Sequence, residues 1–199
     1  MRRIFERYLR PEEERRLFTI IGQHGGIHAR RDLAWMRVLR QTGIRIGTLH
    51  GLNVADAWEA IRTHYLTLSP EISKGGVSGR IFVTKRGRVA LRQLLQIRRE
   101  QGHVEQLDAP LVLSRHRRRM SIRVYQHRMR HWCQLAGLDV DATPHWWRHT
   151  LAKRIMQGST ARDPRGVVQV QLNHADIRST AIYTLPDRDD IEQALEEVS

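Results

Sequence analysis

At 199 residues, with 40% hydrophobic side chains, the chain can form one sizeable domain around a core. A formal charge of +13 and a pI of about 11.2 point to a polyanionic partner, of which nucleic acid is the commonest. The single cysteine, Cys133, excludes an internal disulfide, and no apolar run reaches the length of a membrane span, so a cytoplasmic protein is expected.

Residues 1–10 form a basic arm or short helix, with three large apolar residues among the arginines. Pro11 followed by three glutamates reads as a helix start, running to about Ile21 before Gly22, Gly25 and Gly26. Residues 30–42 carry Leu33, Met36, Val38 and Leu39 at helical spacing, and Gly43 stops that helix. Arg45 follows at once, near the next helix start, with Leu49 and Leu52 beyond it. The β-prone runs Tyr65–Leu68 and Arg80–Thr84 flank Ser73-Lys74-Gly75-Gly76, a glycine turn, so a small antiparallel sheet is expected there. Lys74 is one of the few lysines in a chain whose positive charge is mostly arginine, and a turn lysine can donate a proton. Residues 88–101 are an amphipathic helix with Val89, Leu91, Leu94 and Leu95 on its apolar side.

A loop over 103–120 ends in Arg115-His116-Arg117-Arg118-Arg119, a candidate phosphate-contacting run that Arg123 extends. Ser121 N-caps a helix over 121–136. The next helix is expected from Thr143 to about Gln157, with Thr143 as N-cap and Pro144 at the first helical position. That places His145 and Arg148 together in the first turn, where backbone N–H groups and the helix dipole favour a phosphate. Val167 to Leu172 is a short helix or buried turn, and Asn173 is a left-handed terminator before His174. A further short helix reaches Tyr183, and Pro186 breaks it. Residues 187–198 are a last, acidic helix. The inventory is mainly α with a small antiparallel β-sheet. His149 and His145 make a His-x-x-x-His pair, but with no third ligand evident no metal is expected, and no cofactor either.

In order, the chain carries Thr42-Gly43-Ile44-Arg45, the turn lysine Lys74, His145-Trp146-Trp147-Arg148, Asn173-His174 and Ile182-Tyr183-Thr184. This series resembles the catalytic domain of tyrosine recombinases, the phage-integrase family, over about residues 11–185. The chemistry explains the residue types: cutting a phosphodiester without metal needs positive charge at the phosphorane oxygens, and two arginines supply it bidentately. The resemblance implies a site-specific recombinase with Tyr183 as nucleophile, forming a 3′-phosphotyrosyl link that conserves the bond energy without ATP. It makes Lys74 the proton donor to the leaving 5′-oxygen, with Lys85 as a second candidate, and His145 and His174 partners of the phosphate oxygens. It also implies double-stranded DNA as partner and a tetramer on paired sites. Residues 186–199 would be a C-terminal helix that docks on a neighbouring protomer or packs on its own domain. DNA-bending accessory proteins and a nucleoid location fit the same picture.

Two departures from the family pattern stand out. Thr48 occupies the place of a usual acidic residue, three after Arg45. The catalytic-like part begins near residue 11, with no separate helical DNA-binding domain before it, as in a minimal member or a catalytic fragment. The alternatives are a weak or inactive DNA-binding protein of the same fold, a type IB topoisomerase-like enzyme, and a basic RNA-binding protein.

Overall fold

The computed structural model of the chain describes residues 7–103, 106–174, 191, 192 and 195–197, omitting the side chain of Lys74. The helix α1 (Pro11–Gln23) starts as the sequence predicts: proline sits in its first turn, and Glu13 Oε2 accepts from the Arg10 N–H at 2.8 Å. Helix α2 (Ile27–Thr42) is the axis of the domain. Trp35, Met36, Val38 and Leu39 are fully buried, and α1, α5 (Lys85–Glu100) and α7 (Trp146–Gly158) pack around it. A helix buried on most sides needs partners on most sides, and that fixes its neighbours.

Asp32, on α2, is wholly buried and ionisable, a combination that is costly unless the charge is fully bonded. Its Oδ1 accepts from Arg31 Nη2 at 2.8 Å and Trp35 Nε1 at 3.1 Å. Its Oδ2 accepts from Arg128 Nε at 2.6 Å and Trp132 Nε1 at 2.9 Å. Arg31 also donates to Leu113 O at 3.0 Å, so one carboxylate ties α2 to α6 (Ile122–Leu135) and to the loop before it.

Between α2 and α5 lie α3 (Ile46–Gly51), α4 (Val54–Thr63) and a hairpin of β1 (Tyr65–Leu68) with β2 (Gly79–Phe82). The strands are antiparallel with Tyr65 opposite Phe82 and Leu68 opposite Gly79. The turn between them contains two short 3₁₀ segments, Pro70–Ile72 and Lys74–Gly76. Sequence periodicity misses α4; its signal is local, since Asn53 caps the helix and its N–H donates to Asp56 Oδ2 at 2.7 Å. Thr84, read as strand from its β-branching, instead caps α5, accepting from Gly87 N at 3.1 Å. Helix α5 therefore begins three residues earlier than its apolar pattern suggests, and Val89 faces outward rather than into the core. Helix α8 (Pro164–Gln171), capped by Asp163, closes against α7 through Ala152, Val168 and Leu172. Among the described residues no helix is long and apolar enough to cross a membrane.

Candidate active site

Gly43 ends α2 with φ +67, and an added Cβ would lie 2.4 Å from Leu172 and 2.9 Å from Leu151. Both the left-handed turn and the close approach of α7 and α8 require glycine. The sharp corner puts Arg45 at the N-cap of α3, partly exposed. Arg148, from the first turn of α7, reaches the same corner. It is 2% exposed, donating from Nη1 to Gly43 O at 2.8 Å and from Nη2 to Leu172 O at 2.6 Å. One guanidinium thus fixes the backbone just before Arg45 and just before His174.

The α8 end is held equally firmly. Gln171 Nε2 donates to Thr42 O and Phe82 O, both at 3.1 Å. Asn173 takes the predicted left-handed conformation, φ +49, and its Nδ2 donates to Val77 O at 3.2 Å. Gly79 is needed beneath it, because a Cβ there would lie 2.4 Å from the Asn173 amide oxygen. His174 is thereby carried on a rigid turn against the hairpin.

His174 is held down to about 4, first by burial and then by the positive neighbours Arg148, Arg45 and His145. These causes place all four side chains in one electrostatic cluster. It is a neutral imidazole at neutral pH, able to donate one proton to an oxygen. Helix α7 begins at Trp146, not at Thr143: Trp146 N donates to Thr143 O at 2.9 Å, and His145 is the N-cap residue, itself exposed. Pro144 belongs to the preceding turn rather than to the first helical position. The His145 ring meets His149 edge-on, with centroids 4.7 Å apart. Sequence reasoning treats His149 only as a metal candidate. Among the described residues no group of three metal-type ligands includes it. It is buried, and burial, then His145 and Arg148, push it down to about 3.

His149 carries a prediction for stability. The unfolded chain binds a proton there below pH 6.5 while the folded state does not until about 3. Stability is therefore present above 6.5 and falls as pH drops through that window, by up to about 1.4 kcal/mol per pH unit for one such group. The urea midpoint is expected to fall from pH 6.5 to 4.5, and His149→Gln to remove about one proton of that slope. An unchanged slope would assign the acid sensitivity elsewhere.

Between the hairpin, the α2–α3 corner and the α8 end lies a cavity of about 10 Å³. Arg45, Thr48, Ser73, Arg148, Gln171 and Asn173 are its polar walls, with Leu68 and Ile81 among the apolar ones. Thr48, in the place of the family's acidic residue, is buried and donates from Oγ1 to Ile72 O at 2.9 Å. Gly51 lets Ile72 approach, since a Cβ there would lie 2.4 Å from Ile72 Cγ2. Thr48 and Gly51 together brace the turn that carries Lys74. Thr48→Val keeps the shape but leaves the Ile72 carbonyl without its donor. It is expected to cost about 1 kcal/mol in urea unfolding and to speed amide exchange over 72–74. An unchanged midpoint would mean the hydroxyl does not brace the turn. The backbone of Lys74 lies at the start of its 3₁₀ turn; Tyr183 lies outside the described residues.

Of the arginines expected to meet phosphates, Arg115, Arg117, Arg118 and Arg123 are exposed. Arg119 is turned inward. It donates from Nη1 to Leu52 O at 3.3 Å and from Nη2 to Asn53 Oδ1 at 2.7 Å. Arg119 is therefore read as the loop's internal anchor, not as a phosphate contact; a run of like charges in sequence does not reveal which member the fold consumes.

The "Phage integrase family" model matches residues 7–189. Among curated relatives, the tyrosine recombinase XerD of Proteus mirabilis is 31% identical over 159 residues, covering 77% of this chain and 47% of its own. The tyrosine recombinase XerC of Alcanivorax borkumensis is 32% identical over 156 residues, covering 78% and 48%. The chain spans about half the length of these relatives. The fold matches the crystal structure of XerA recombinase with a TM-score of 0.75 at 23% identity, over 96% of this chain and 64% of that one. It also matches a Tn1549 transposon integrase in complex with circular intermediate DNA, with a TM-score of 0.72 at 17% identity over 96% and 67%.

Proposed function

The chain belongs to the phage integrase family, and from that premise we propose that it cuts and rejoins duplex DNA at specific sites through a 3′-phosphotyrosyl intermediate. Tyr183 Oη attacks the scissile phosphorus as its proton passes to His145 or to solvent, the bond from phosphorus to O5′ breaks, and the 5′-oxygen leaves as a hydroxyl protonated by Lys74. The reverse attack by a 5′-hydroxyl rejoins the strand, so neither metal nor ATP is required. Arg45 and Arg148 hold the non-bridging oxygens as their charge grows; His174 donates to one of them, and His145 bonds another or relays a proton. The observation that carries this reading is the convergence of Arg45, Arg148, His145 and His174, from three separate segments, on one electrostatic cluster.

The partner is double-stranded DNA, gripped along the exposed Arg115, Arg117, Arg118 and Arg123, in a cytoplasmic, nucleoid-associated setting with DNA-bending proteins as optional helpers. Residues 11–185 act as the catalytic unit, residues 1–10 as a basic arm and residues 186–199 as a docking helix in a tetramer. A large groove lined by α1, α2, α5 and α7 supports the docking. It has a volume of about 1020 Å³ and is lined by Arg37, Lys85 and Arg154, and by Arg40 paired with Glu14, around Phe18 and Val89. Burial and neighbouring cations lower the Arg37 and Arg154 pKa values, as expected where positive charge is crowded. The tail is acidic, and its Ile191 and Leu195 are exposed and four residues apart.

The test uses a duplex recovered from a random-core pool by binding to the protein, nicked near its centre so that the cut fragment diffuses away. A DNA-linked protein band on a denaturing gel, formed in chelator without ATP, is the expected result. Tight, salt-sensitive binding with no such band would favour a DNA-binding protein that kept only the fold.

A further inference from the structure

We propose that Ser73 is a further catalytic residue, whose hydroxyl donates to one non-bridging oxygen of the scissile phosphate. The proposal rests on the strand-transfer reading above and concerns a residue to which the family resemblance gives no role.

Ser73 Oγ is buried and has no hydrogen-bond partner among the described residues. Buried hydroxyls are nearly always paired, so such a group calls for a function. The backbone around it is well held: Ser73 N donates to Pro70 O at 3.3 Å, and Gly76 N donates to Ser73 O at 3.2 Å. Thr48 and Gly51 fix Ile72 immediately before it.

Ser73 lines the 10 Å³ cavity beside Arg45 and Arg148. A volume of that size admits about one oxygen-sized group. Thr48, the other hydroxyl at this cavity, has its donor committed, and the Asn173 amide has one of its two donors engaged. The Thr48 proton goes to Ile72 O, and the Asn173 amide donates to Val77 O. Ser73 supplies the hydroxyl donor that remains. With two guanidiniums beside it, the cavity selects an anionic oxygen over a cation. A donor fixed where a phosphorane oxygen gains charge acts more on the transition state than on bound DNA.

The experiment measures single-turnover adduct formation on the nicked duplex carrying phosphate, or either stereodefined phosphorothioate, at the scissile position. Wild type, Ser73→Ala and Ser73→Thr are compared, with DNA affinity measured in parallel. Ser73→Ala is expected to slow adduct formation about tenfold on phosphate with affinity within about twofold, and Ser73→Thr to restore most of the rate. With sulfur in one of the two positions, wild type and Ser73→Ala should react within about twofold of each other, because the contact is already impaired. With sulfur in the other, the tenfold gap should persist. Equal losses on all three substrates would make Ser73 a packing residue, and no loss on phosphate would make its hydroxyl a site for structural water; either overturns the proposal. Absence of adduct with wild type would instead overturn the strand-transfer reading, and this proposal with it.

Discussion

Replacing Arg148 by alanine is expected to slow single-turnover DNA cleavage by roughly a thousandfold or more while weakening DNA binding far less. Two effects combine. On the proposed mechanism the phosphorane loses a cationic donor, a contact worth more in the transition state than in the bound substrate. The site also loses its internal tie, since the Gly43 and Leu172 carbonyls are left without their shared guanidinium. That second loss should appear as a lower unfolding midpoint, by about 1–3 kcal/mol. Arg148→Lys separates the two: a point charge returns near the phosphate, but the fork that bridges both carbonyls does not. It is expected to recover little of the rate. Equal losses of rate and affinity in Arg148→Ala would reduce Arg148 to an ordinary phosphate contact.

Tyr183→Phe is expected to abolish the covalent adduct and leave DNA affinity within about twofold, because only the oxygen proposed as the nucleophile is removed. The adduct is read on a denaturing gel and the affinity by filter binding. If an adduct survives, the nucleophile is another tyrosine, and the fold narrows the choice. Tyr125 is fully buried against Trp35, and burial raises its phenol well above the ordinary value, so it can neither reach DNA nor ionise readily. Tyr65 is 41% exposed on the hairpin, under the Arg80 guanidinium. Tyr65 and the partly exposed Tyr8 are the tyrosines to replace next.

The parts of this architecture that were legible in the sequence depend on neighbours a few residues apart. Pro11 and Ser121 mark helix starts, Gly43 and Asn173 mark left-handed ends, and the apolar spacing of α2 marks a buried helix. The order of Arg45, His145, Arg148 and His174 was legible for another reason, since it matches a family pattern. Boundaries failed where a cap competed with propensity. Thr84 is β-branched yet caps α5, and Thr143 has the chemistry of a cap yet lies outside α7. Hidden entirely were the long-range polar contacts. Arg148 meets a carbonyl 105 positions away, and Arg128 meets Asp32 across 96. No periodicity encodes such pairs. Arg119 illustrates the same limit from the other side: five adjacent basic or imidazole residues read as one surface, and only folding shows that one of them anchors the loop.

Thr48 changes meaning once its contact is known. In sequence it stands out only as a departure from the family pattern, three residues after Arg45. In the fold its hydroxyl braces the turn that carries Ser73 and Lys74, while Arg148 and the α8 end stabilise the arginine corner.

The most direct measurement is the identity of the atom that joins DNA. Wild-type protein is reacted with the nicked duplex in chelator, the denatured adduct is digested with protease and nuclease, and the nucleotide-bearing peptide is sequenced by mass spectrometry. The expected result is a single 3′-phosphonucleotide on Tyr183. A nucleotide on any other residue, or DNA cleaved with no protein attached, would contradict the mechanism proposed for this chain.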